Sequence, residues 1–110
     1  MSKIADRQQI YQQMLNSQQD KSAMEYFKEQ INEAITELEN AKKYINTAKT
    51  ELGKAYTGKV AKEKGKKLEN EIQKINCIVK ELKQRVTELN QTINSLNQEI
   101  SAKNSELQRL

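Results

Sequence analysis

The sequence predicts an all-α protein, an antiparallel hairpin of two long helices with coiled-coil packing. Three observations carry that expectation. Two apolar repeats with helical spacing run through the chain, and they are out of register with each other. All three glycines, Gly53, Gly58 and Gly65, fall where the repeats meet, and proline is absent. Glu, Lys, Gln, Leu, Ala and Ile dominate the composition, and these are helix formers.

Length and composition set the bounds. The 110 residues allow one domain. At 35% apolar and 31% charged, with no Trp, four Tyr and one Phe, the chain can fill a thin seam between helices rather than a wide core. The formal net charge of +4 is mildly basic and does not by itself indicate nucleic acid. Histidine, the commonest general base and metal ligand, is absent. The one cysteine, Cys77, has no intramolecular partner for a disulfide. The first residues, Met1 to Arg7, have no apolar h-region, so no Sec signal peptide is expected. No apolar run approaches about 20 residues, so membrane insertion is not expected. These features suit a cytoplasmic protein, which if exported would use a route that reads no classical leader.

Residues 1–21 have the weakest pattern. Ile4, Tyr11 and Leu15 are expected to share a face, with Ile10 and Met14 beside them, diluted by Gln8, Gln9, Gln12, Gln13, Gln18 and Gln19. Isolated helices of about 12–15 residues are marginal in water. The segment therefore reads as a flexible arm or a helix induced by a neighbour. Ser22-Ala23-Met24-Glu25 has the form of a capping box and predicts a helix start or restart.

Helix one is expected over 22–56. From Phe27 its apolar positions step by four and three. Ile31, Leu38, Ile45 and Leu52 hold a; Ala34, Ala41, Ala48 and Ala55 hold d. Four alanines in a row imply a close approach along that line. Ile35, Tyr44 and Tyr56 flank it.

Continuing this repeat would put Lys59, Lys62 and Lys66 in the seam. Counting back from the second repeat puts Ala61 and Gly65 there instead. One continuous helix cannot satisfy both, so the chain must turn near 56–60, with Gly58 left-handed after the first helix. Helix two is expected over 60–110. Its a positions are Ile72, Val79, Val86, Ile93, Ile100 and Leu107, and its d positions are Leu68, Ile75, Leu82, Leu89 and Leu96; at the next d position only Lys103 breaks the pattern. At ~1.5 Å per residue, helix two would span roughly 75 Å and helix one about 50 Å. The overhang is long enough to cover residues 1–21.

Several motifs have plain readings. Gly53-Lys54-Ala55-Tyr56-Thr57-Gly58-Lys59-Val60 fits the glycine-lysine spacing of a phosphate loop. It lacks the following Ser or Thr and a preceding strand, and a helix turn with two glycines explains it better. Lys54, Lys59, Lys62, Lys64, Lys66 and Lys67 make the turn basic; contact with phosphates or anionic lipid is one reading, and a solvated tip is the plainer one. Cys77 falls at an outer f position. Asn90-Gln91-Thr92 is a sequon without a secretory context. No carboxylate pair, nucleophile triad or metal cluster stands out, so no enzyme, cofactor or metal is expected.

A helical hairpin with an aromatic-x-glycine turn, here Tyr56-Thr57-Gly58, resembles the WXG superfamily of type VII secretion. More closely it is similar to the small helical partners encoded beside LXG polymorphic toxins in Gram-positive bacteria, in which the turn precedes a basic or polar stretch and a long heptad helix. The resemblance covers the chain from about Ser22. It departs from the pattern in having Tyr56 for tryptophan. It also lacks the export signal, an aromatic followed four residues later by Asp or Glu: Tyr11, Tyr26, Phe27, Tyr44 and Tyr56 are followed by Leu15, Gln30, Ile31, Ala48 and Val60. The resemblance implies a non-enzymatic targeting chaperone. Such a protein docks on the helical N-terminal domain of a toxin, with or without a second small helical partner, and a partner supplies the signal. The expected contacts are Ala34, Ile35, Ala41, Tyr44, Ala48, Tyr56 and Ile78. The rival readings are a prefoldin-like chaperone subunit, which would need β-strands between its helices, and a homo-oligomeric coiled coil.

Overall fold

The computed structural model describes residues 3–110. Met1 and Ser2, the start of the expected arm, lie outside the described residues. Helix α1 spans Lys3–Ala55 and helix α2 spans Gly58–Arg109. The two pack against each other as an all-α hairpin, with no strand among the described residues.

The reversal takes two residues. The Tyr56 amide donates to the Leu52 carbonyl at 3.0 Å and closes the last turn of α1. Thr57 follows, and Gly58 opens α2 with φ of 72°. That left-handed backbone is the one the register mismatch required at Gly58. An L side chain there would be strained, which is why a glycine sits at this point. Ala61 and Gly65 are half-buried while Lys59, Lys62 and Lys66 are exposed, so the second repeat governs from the turn onward.

The chain divides into two compact units, one formed by Ile31–Arg85 and the other by the chain up to Gln30 with Val86–Leu110. In the unit that contains the turn, Ile72 and Val79 of α2 are each only 5% exposed. Leu68, Ile75 and Leu82 are half-buried beside them. Full burial of such side chains stabilises by about 1.5–3 kcal/mol each. α1 meets them with Ile31, Ile35, Leu38, Ile45 and Leu52, all half-buried. Lys42 and Lys49 are half-buried as well. Their stems can lie along apolar surface while the ammonium groups reach out to polar partners.

In the other unit, Ile10 and Ile93 are buried. Met14, Ser17, Lys21, Met24 and Lys28 continue the α1 contact line and are half-buried. The Ser17 hydroxyl donates to the Glu99 carboxylate at 3.2 Å. Two expectations are corrected here. First, Ser22 starts no helix, because α1 is continuous from Lys3. Far from dangling, residues 3–21 lie against the length of α2 expected to overhang, and that neighbour supplies the packing an isolated segment lacks. Second, Ile4, Tyr11 and Leu15 do not form one packed face, since only Leu15 of the three is half-buried. Ile4 and Tyr11 are exposed, and Ile10 and Met14 face α2 instead. Counting back by sevens from Ile31 through Met24 and Ser17 leads to Ile10, so one heptad phase runs through the segment.

Candidate docking surface

Register decides which side of α1 is free. In the unit containing the turn, the Lys42 ammonium donates to the Asn76 side-chain oxygen at 3.1 Å. The Lys49 ammonium donates to Glu69 at 2.8 Å. Seven residues separate the two lysines, and seven separate their partners in the opposite direction, as antiparallel helices require. Both pairs lie along one edge of the seam. The alanine row lies toward the other edge.

The alanines were expected to hold the seam itself. Ala34 and Ala41 are half-buried beside it, but Ala48 and Ala55 are exposed. The line that meets α2 passes instead through Ile35, Lys42 and Lys49. Lysine can serve there because its stem is apolar and its head finds a carboxylate or amide on α2. Phe27, the first residue of the expected seam, is displaced in the same way and is 56% exposed.

The residues expected to contact a partner therefore separate. Ile35 takes part in the hairpin's own contact line. Tyr44 stands 78% exposed on α1, one turn before the exposed Ala48. Ile78 on α2 is 46% exposed. The antiparallel register places Ile78 about level with Ala41, so Ala41, Tyr44, Ala48 and Ile78 sit in one stretch of this unit. Tyr56 is exposed at the turn, with the Lys64 ammonium 5.2 Å from its ring centroid. The Cys77 thiol is free and exposed next to Ile78.

The other unit carries an aromatic pair, of which the periodicity placed Phe27 in the seam and gave Tyr26 no place. Tyr26 and Phe27 meet edge to face with ring centroids 6.5 Å apart, and both are exposed. Such a pair has a preferred geometry and a large apolar area. Phe27 sits on the alanine row of the heptad, so the signal lay in the row's offset from the true contact line.

Among the described residues no cluster of three His, Cys, Asp or Glu could hold a metal ion. A shallow groove of about 340 Å³ in the unit with the chain ends is lined by Asp6, Gln9, Ile10, Gln13, Glu106 and Leu110. Among the described residues no third Asp, Glu, His or Cys joins its Asp6 and Glu106. Gly53 lies inside α1 and Gly58 opens α2, so the glycine-lysine spacing forms no phosphate loop. The Glu69 carboxyl is held below its ordinary value by the hydrogen bond from Lys49, by a second from the Gln73 amide, and by the Lys49 charge. That shift reports a structural ion pair across the hairpin. No described helix is long and apolar enough to cross a membrane. Comparison of the chain with protein-family models, with curated proteins and with solved structures gives no match.

Proposed function

We propose that this protein is a non-enzymatic docking partner for another helical chain. The observation that carries the reading is the exposed flank of Tyr44 and Ala48 on α1 with Ile78 on α2. These residues lie on helices whose seam is already packed, and most of Tyr44 and about half of Ile78 remain outside it. Aromatic and aliphatic side chains on a helix flank are what a second amphipathic helix recognises. The alanine row beside Tyr44 would let that helix come close.

The resemblance to the small helical partners of LXG toxins gives this reading its concrete form. The partner would be the long helical N-terminal domain of such a toxin, and the complex would be the species that type VII secretion exports. The Tyr56-Thr57-Gly58 turn supports the likeness, since Gly58 adopts the left-handed conformation on which a two-residue reversal depends. A prefoldin-like subunit is less well supported, because only Tyr56 and Thr57 separate the helices.

Co-expression with the helical N-terminal region of an LXG toxin tests the proposal. The two chains are expected to co-purify and to elute together from a sizing column. Separate elution of two folded proteins would contradict it.

A further inference from the structure

The turn carries more than the chain's whole net charge. Lys54, Lys59, Lys62, Lys64, Lys66 and Lys67 face one acid, Glu63, which gives residues 54–67 a net +5 against +4 for the full chain, so the remainder nets −1. Five of these lysines sit in the first turns of α2, whose opening turn has no acidic residue. Cations are unfavourable at a helix N-terminus, where the dipole is positive. Lys62 and Lys66 also form a like-charge pair at i,i+4, which is destabilising. Intramolecular partners offset little of this. Lys54 pairs with Glu51 at 3.4 Å and Lys59 approaches Glu63 at 4.0 Å. Lys64 lies over the Tyr56 ring. Lys62, Lys66 and Lys67 are exposed and make no ion pair with any described residue. Folding does not account for this arrangement, whereas an external anion would.

Two apolar side chains share the same end of the hairpin. Tyr56 and Val60 are about half exposed on either side of Gly58. The two-residue connector brings them together with the lysines on a blunt end built from two helix termini. Lysines act as point charges without the planar fork that arginine offers to a single phosphate or base. Tyrosine favours the boundary between headgroups and acyl chains. Diffuse positive charge beside two half-exposed apolar side chains fits a flat anionic surface.

We propose that the hairpin turn is a peripheral docking site for an anionic lipid bilayer, with the lysines among headgroup phosphates and Tyr56 and Val60 at the acyl boundary. Vesicle co-sedimentation of the full chain tests this. Phosphatidylcholine vesicles containing phosphatidylglycerol should retain the protein, and phosphatidylcholine alone should not. The variant K62Q/K66Q/K67Q should keep its helical circular dichroism and lose about a hundredfold in partitioning, from about fivefold per lysine. The variant K43Q/K74Q/K80Q removes as many charges more than a Debye length of about 8–10 Å from the turn, and should stay within about twofold of wild type. Tyr56→Ala should weaken the binding that survives in high salt, where the lysines are screened. Equal loss in both triple variants, retention that ignores phosphatidylglycerol, or tighter binding to duplex DNA at the same salt would each overturn the proposal.

Discussion

The two helices use their apolar residues differently. From Leu68 to Leu107, α2 commits every a and d residue to the line facing α1, and each is buried or half-buried, Lys103 included. α1 divides its own. Ile31, Leu38, Ile45 and Leu52 face α2, yet Lys21, Lys28, Lys42 and Lys49 share that line, while Phe27, Tyr44 and Ala48 stand outside it. Its inner face is more polar, and its outer face more apolar, than a two-helix protein requires. That difference is what the proposed docking role of α1 rests on.

Truncation of the α2 seam should give the largest effect. Ile72→Ala should lower unfolding free energy by about 2–3 kcal/mol, toward the lower end of the usual range for a buried isoleucine, because a two-helix seam can relax around the gap. Chemical denaturation followed by circular dichroism measures it. Ile45→Ala on the mixed seam of α1 should cost less. Equal losses would erase the contrast between the helices.

The contrast also depends on the reversal between them, which a pair of glycine substitutions probes. Gly58→Ala should destabilise by about 1–2 kcal/mol because an L residue must adopt the left-handed backbone. Gly53→Ala should stabilise by about 0.5–1 kcal/mol, since Gly53 lies in the helix with nothing within 4 Å of an added Cβ. The same denaturation curves read both. Opposite signs are expected, and matching signs would argue against a turn at Gly58.

A smaller effect concerns the polar edge of the seam. The folded-state value of the Glu69 carboxyl lies below its ordinary value, mainly through the hydrogen bond from Lys49. The unfolded chain therefore binds that proton more readily. The stabilisation is present above the ordinary carboxylate range and is lost as pH falls through the lowered folded value. Glu69→Gln should be slightly less stable than wild type at neutral pH, and the two should converge in acid. An unchanged gap at every pH would mean that the Lys49 pair does not hold the carboxylate.

Much of this was legible in the residue pattern. The α2 seam and the turn at Gly58 follow from two apolar phases that cannot coexist in one helix. The contact line of α1 was harder to read. A row of Ala34, Ala41, Ala48 and Ala55 looks more apolar than the adjacent Ile35, Lys42 and Lys49, yet the latter line packs. Side-chain type alone does not show that a lysine stem will lie on a neighbour while its ammonium finds Asn76 or Glu69. Residues 3–21 were obscured by a capping box at Ser22 that goes unused, because α1 already runs through it from Lys3 with α2 to pack on. Phe27 reads as a seam residue for the same reason as the alanine row.

The sharpest test of the division of labour in α1 is the stability of Y44Q/A48Q, which replaces the outer flank with good helix formers. The account predicts an unfolding free energy within about 1 kcal/mol of wild type, as for other exposed positions. A loss as large as that of Ile72→Ala would contradict it, because Tyr44 and Ala48 would then belong to the core of the hairpin.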